Sequence, residues 1–225
     1  MIEKHDLNKV KAIKFDNTVV RYLNPQEENA LEDAVRIRNE EAITARKSAN
    51  EFRQARGYDL FPSLEGVRFI DHVEPILLLA MNTGMRRGEI LSLKWKNVDL
   101  DRKVLTITTE NSKSKKLRHI PLNTKAYDAL TDWKAQNPNS EFVFESEPGI
   151  PFKDVKKRFE ALLKKAEIEN FRFHDFRHHF ASKLVMLGVD LNTVRELLGH
   201  SDLKMTLRYA HLAPEHKAEA VNLLG

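Results

Sequence analysis

The sequence predicts an α+β domain, mainly α-helical, with one small antiparallel β-sheet. Three observations lead there. Apolar residues recur at helical spacing between recognisable start and stop residues over most of the chain. One stretch, 94–122, switches to the branched, alternating pattern of strands. A hydrophobic fraction of 41% with only 8 Gly and 8 Pro suits a buried core rather than a disordered chain.

Residues 1–20 are polar, with Lys9, Lys11 and Lys14, and read as a solvated linker. Asn24 has the chemistry of an N-cap, Pro25 suits a first helical turn, and Glu27 and Glu28 suit its positive end. The helix they start runs through Leu31, Ala34, Val35 and Ile37 to about Arg56, so charged that much of it faces water. Residues 57–66, with Pro62, form a loop. A helix over 67–82 is apolar nearly all round and belongs in the core; Pro75 kinks it or marks its start. Thr83-Gly84 breaks it, and a short helix begins near Arg86.

Val98, Leu100 and 104–108 read as strands, 111–116 as a basic turn, and 117–120 as the returning strand. Asn123 or Thr124 caps a helix to about Ala135 that Pro138 stops, and 141–144 is a short buried segment. A helix over 153–166 turns Val155, Phe159, Leu162 and Leu163 inward and its basic residues outward. The next, 175–187, buries Ala181, Leu184, Val185 and Leu187 and ends at Gly188. Asn192 or Thr193 caps a helix to 198, Ser201 or Asp202 caps another with Tyr209 near its end, and 214–224 reads as an amphipathic helix.

Composition removes several classes of function. No cysteine means no disulfide, thiolate zinc site or cysteine nucleophile. No apolar run nears the roughly 18 residues that span a bilayer, and the first residues lack a signal-peptide core. No Walker-type glycine loop and no carboxylate cluster for two Mg²⁺ ions is present. The formal net charge of +4 permits nucleic-acid binding without demonstrating it. Its distribution says more: Lys113, Lys115, Lys116 and Arg118 crowd one segment, and Lys153, Lys156, Lys157 and Arg158 another.

Chemistry concentrates between His174 and Tyr209. The chain reads His-Asp-Phe-Arg-His-His-Phe from 174, Leu-Leu-Gly-His at 197–200 and Leu-Arg-Tyr at 207–209. His174 and Arg177, three apart, share a helix face. A phosphate held between an arginine and two histidines, with a phenol nearby, is set up for attack by an oxygen nucleophile. His178, four after His174, has the spacing of a helical metal pair, but no His-Glu-x-x-His pattern or third ligand accompanies it. His178 and His179 therefore read as helix-packing residues or supporting hydrogen bonders. Upstream, Arg86 lies at a helix N-terminus, where a cation is disfavoured unless an anion is bound beside it. Glu89, one turn on, braces Arg86 or a neighbouring histidine.

These segments resemble the tyrosine recombinases, the phage integrase family. His-Asp-Phe-Arg-His, Leu-Leu-Gly-His-Ser and Tyr209 resemble its C-terminal signature, Thr-Gly-Met-Arg-Arg-Gly-Glu-Ile at 83–90 its first arginine box, and Ser-Lys-Ser-Lys-Lys-Leu-Arg-His-Ile-Pro-Leu at 112–122 its lysine-bearing β-hairpin. The resemblance runs from about Arg21 to the end. It implies the DNA breaking-and-rejoining catalytic-domain fold over 21–225, with 1–20 a linker remnant and the family's N-terminal DNA-clamping domain absent. It also implies site-specific recombination through a 3′-phosphotyrosyl link, without metal, ATP or other cofactor. Arg86, Lys113, His174, Arg177 and His200 are then catalytic, Tyr209 the nucleophile and Glu89 supporting. Lys113 is the residue eight before Pro121; Lys115 and Lys116 are neighbouring candidates.

Arg87, Lys115, Lys116, Arg118, Lys156 and Lys157 are expected to contact DNA. Expected partners are double-stranded DNA and other protomers in a tetrameric synapse, with a monomer or weak oligomer when free and no membrane. The expected setting is a bacterial or phage-encoded cytoplasmic protein. In the family the segment carrying the tyrosine must move, so a structure without DNA could hold Tyr209 displaced. Two other readings stay open at this point: a type IB-like topoisomerase using the same chemistry, and a non-enzymatic DNA-binding regulator whose basic residues only hold phosphates.

Overall fold

The computed structural model describes residues 20–108, 117–214 and 222. The first helix, α1 (Pro25–Gln54), starts where Asn24 accepts the Glu27 N–H at 2.8 Å while the Glu27 carboxylate accepts the Asn24 N–H at 3.0 Å. Only Leu31 and Ala34 of α1 are buried, so most of its length faces solvent. Helix α2 (Val73–Thr83) is a core helix, with Leu79 and Ala80 fully buried. It begins six residues later than the apolar run suggests. Pro75 occupies its first turn, where a missing N–H costs nothing, and Asp71 accepts the Val73 N–H at 2.9 Å.

Gly84 ends α2 at φ +61°, and α3 (Arg87–Leu91) follows at once. Strands β1 (Val98–Asp99), β2 (Val104–Ile107) and β3 (Arg118–Pro121) make one antiparallel sheet in the order β1-β2-β3. Its register pairs Leu105 with Ile120 and Ile107 with Arg118. The connection over 109–116, which contains Lys113, Lys115 and Lys116, lies outside the described residues, as does the expected helix at 214–224 except for residues 214 and 222.

Asn123 caps α4 (Thr124–Gln136) through the Ala126 N–H at 3.0 Å. The segment 141–144 is buried at Val143 and Phe144, and it leads into a hairpin that the residue pattern does not announce, β4 (Glu145–Glu147) with β5 (Ile150–Pro151), turning at Gly149 with φ +76°. Helix α5 (Lys156–Lys165) starts three residues later than expected because the Asp154 carboxylate takes the N–H groups of Val155 and Lys156. Helix α6 (Asp175–Met186) lies as its periodicity predicts, except that Leu187 is 77% exposed rather than buried.

Asp190, not Asn192 or Thr193, caps α7 (Leu191–Leu198): its carboxylate accepts both of their N–H groups, at 3.0 and 2.9 Å. Asp202 accepts the Lys204 N–H at the start of α8 (Lys204–Leu207), and Tyr209 lies beyond that short helix, at the entry to a 3₁₀ turn (Ala210–Leu212). Among the described residues no helix is long and apolar enough to cross a membrane.

The apolar interior has two parts that meet on α6. The larger gathers residues of α1–α5, the strands and Phe176. Phe159, Phe171, Phe173 and Phe176 pack edge-on or tilted within it, at centroid distances of 5.0–6.4 Å, and fix the entry of α6 against α5. The smaller holds Val20, Ala181, Val185, Val194, Leu198 and Tyr209. Residues at the start of α6 therefore sit where the chain's two halves join.

Candidate functional site

Arg177 is the hub. Its side chain is 3% exposed, and its guanidinium donates from Nη1 to the Gly84 carbonyl at 2.8 Å and from Nη2 to the Leu198 carbonyl at 2.5 Å. Those carbonyls are the C-terminal ends of α2 and α7. Helix C-termini carry unpaired carbonyls and partial negative charge, so a buried cation is accommodated there. Through these two bonds Arg177 fixes the turn that leads into Arg86 and the turn that leads into His200. Burial, with the charges of Arg86 and Arg118, pushes the Arg177 pKa down to about 9, so it remains protonated at neutral pH.

Arg86 directly precedes α3 and is bound to Glu89. Its Nη1 meets Oε1 at 2.9 Å and its backbone N–H meets Oε2 at 2.8 Å. Glu89 is 3% exposed and also receives Arg118, through Nη1 at 3.1 Å and Nη2 at 2.7 Å. Burial alone raises the Glu89 pKa, but Arg118 and then Arg86 outweigh it and hold the carboxyl below its usual value. The pattern of basic residues places Arg118 among the DNA contacts of the hairpin; in the structure Glu89 takes up its guanidinium instead of leaving it on the surface. Arg118 is 7% exposed and turned inward, because alternation along β3 sends residues 118 and 120 to the buried face.

His174 immediately precedes α6, and burial and the Arg177 charge lower its pKa. Gly199 ends α7 at φ +66° and releases His200, whose Nδ1 lies 2.9 Å from Thr206 Oγ1. Burial, followed by the charges of Arg177 and Arg86, takes His200 down to about 3. Tyr209 is 1% exposed, and its hydroxyl is 2.7 Å from His178 Nδ1. Burial pushes the phenol up to about 12, opposed by Arg177 and Arg208. His178 is taken down to about 4 by burial and His174, so it is neutral at pH 7 and its Nδ1 can accept a hydrogen bond from the phenol. The His174 and His178 rings meet edge-on at 5.4 Å.

Arg86, His174, Arg177, His200 and Tyr209, drawn from three separate stretches of sequence, thus stand close enough for their charges to act on one another. Cations exceed carboxylates there, and the whole arrangement is suited to an anion. Tyr209 is packed inside the protein with its hydroxyl held by His178. His178, read from the sequence as a packing or supporting residue, is its direct partner; a histidine one turn after His174 was the only signal for it. Arg87 lies apart from the cluster, exposed and paired with Asp154 at 3.0 Å. Lys156 and Lys157 are exposed on α5, with Lys156 3.7 Å from Glu160. Lys113 lies outside the described residues.

The sequence and the fold both have known counterparts. Residues 70–216 match the model of the phage integrase family, and the chain belongs to that family. It is 35% identical over 170 residues to an integrase of Salmonella phage P22, a match covering 69% of this chain and 44% of the relative. A tyrosine recombinase XerC-like protein of Caldanaerobacter subterraneus is 30% identical over 191 residues, covering 68% of this chain and 49% of that one. The chain thus spans about half the length of the curated relatives it matches.

The catalytic domain of bacteriophage HP1 integrase superposes with a TM-score of 0.60 at 26% identity, covering 91% of this chain and 95% of that domain. The Tn1549 transposon integrase, solved with circular intermediate DNA, has the same fold at TM-score 0.65 and 20% identity, covering 95% of this chain and 70% of that one.

Proposed function

We propose that this chain is the catalytic part of a site-specific DNA recombinase, cutting and rejoining strands through a covalent phosphotyrosine. The observation that carries the reading is the gathering of Arg86, His174, Arg177 and His200 beside the Tyr209 phenol. Guanidinium groups match phosphate oxygens and stay charged, so Arg86 and Arg177 neutralise the charge that builds on the scissile phosphate. His174 and His200 add hydrogen bonds, and the phenol, once released from His178, loses its proton to water as Tyr209 Oη attacks phosphorus, the two guanidinium groups favouring the phenolate. The bond from phosphorus to the 5′-oxygen breaks, and Lys113 protonates that leaving oxygen. The phosphotyrosyl bond keeps the energy of the broken linkage, so a second 5′-hydroxyl reverses the step without ATP.

A phenol 1% exposed cannot reach a duplex. The reading therefore includes release of Tyr209 from His178 by movement of α8 when DNA binds. Duplex DNA is the substrate, with Arg87, Lys156 and Lys157 on its backbone; other protomers complete a synapse. Buried Arg118 is not assigned to DNA.

Incubation of the chain with a nicked duplex that loses its 5′-hydroxyl fragment is the test. A detergent-resistant protein–DNA adduct is expected, absent with Tyr209→Phe while DNA binding stays within about twofold. An undiminished adduct in that variant removes Tyr209 as nucleophile. A chain that binds DNA without any adduct favours the regulator reading.

A further inference from the structure

Arg118 is the one described basic residue of the hairpin that is buried, and Glu89 takes up its guanidinium. Its side chain is 6% exposed and runs beneath Gly199: a Cβ there would lie 2.9 Å from Arg118 Cδ and 3.1 Å from Nη1. The absence of a side chain at Gly199 is what admits it. Its Nε is buried with no hydrogen-bond partner. A buried ion pair with an unsatisfied donor is a poor device for stability. What the pair does achieve is geometric. Arg118 takes both Glu89 oxygens, at 3.1 and 2.7 Å. Glu89 then holds Arg86 through Nη1 and the backbone N–H. Without Arg118, both carboxylate oxygens would be free to grip the Arg86 fork and draw it away from a phosphate.

We propose that Arg118 is a positioning residue for strand cleavage, acting through Glu89 to set the Arg86 guanidinium. The inference rests on the functional reading above. It is tested by a double-mutant cycle in single-turnover cleavage of the nicked duplex, comparing the unaltered chain, Arg118→Met, Arg86→Ala and the double variant. Arg118→Lys is added because it keeps the charge and loses the two-pronged contact. Melting curves establish that each variant is folded at the assay temperature; if Arg118→Met is not, Arg118→Lys takes its place in the cycle.

Arg118→Met is expected to slow cleavage by on the order of tenfold to a hundredfold, with Arg118→Lys intermediate. In the Arg86→Ala background, replacing Arg118 is expected to cost less than about twofold, since the group it positions is gone. Full cleavage rates in the Arg118 variants, or penalties that multiply with that of Arg86→Ala, overturn the inference and leave the functional reading intact. No adduct from the unaltered chain overturns both.

Discussion

A buried guanidinium must find acceptors for its donors, and Arg177 finds them at two helix ends. Replacing it with alanine strands the Gly84 and Leu198 carbonyls and, on the proposed function, removes a phosphate donor in the same step. Cleavage is expected to fall by about 10² or more, as for a lost oxyanion donor. Stability is expected to fall by about 1–3 kcal/mol for the unsatisfied carbonyls, read from urea denaturation. A variant with slowed cleavage and unchanged stability would mean the two carbonyls are satisfied some other way. Histidine and tyrosine chemistry here is local too. His178 is held neutral by burial and the His174 charge, and it sits 2.7 Å from the Tyr209 hydroxyl.

Turns deliver these residues, and two glycines make the turns. Gly84 lies at φ +61°, and a Cβ there would meet Phe180 Cδ1 at 2.5 Å and Leu198 Cδ2 at 3.0 Å. Gly84→Ala therefore combines backbone strain with overpacking, and a loss of about 2–4 kcal/mol is expected in urea denaturation. A loss below about 0.5 kcal/mol would show that α2 and α6 can part without cost.

Much of this level was legible in the sequence. The Asn24 cap, the core character of α2, the break at Gly84 and the start of α6 all follow from local patterns. What was not legible depends on partners distant in sequence or on competition between adjacent polar residues. Asp190 outcompetes Asn192 and Thr193 for the α7 cap because its carboxylate reaches both N–H groups. Arg118 looked like a surface cation because lysines precede it, and only β3's register with β2 turns it toward Glu89. The five residues of the cluster were recognisable by motif; the bond between His178 and Tyr209 was not, since it joins α6 to a segment 31 residues on.

Across the whole molecule, burial of neutral histidines links folding to pH. His72, stacked on Phe152 at 3.6 Å, and His178 are lowered to about 4, and His200 to about 3, from 6.5. The folded chain binds these protons more weakly than the unfolded chain. Their stabilising contribution is thus fully present above pH 6.5 and is lost as pH falls toward 4. The melting temperature is expected to fall steadily between pH 7 and pH 5; a flat profile there would contradict the burial of these rings.

The central claim is that one cluster of arginines and histidines presents a DNA phosphate to Tyr209. Its most direct test is the chemistry of the covalent product, read by peptide mapping of the adduct and by labelling each DNA end in turn. The account predicts a 3′-phosphate joined to the residue-209 oxygen and a free 5′-hydroxyl on the departing strand. Attachment to another residue, or to a 5′-phosphate, would contradict it.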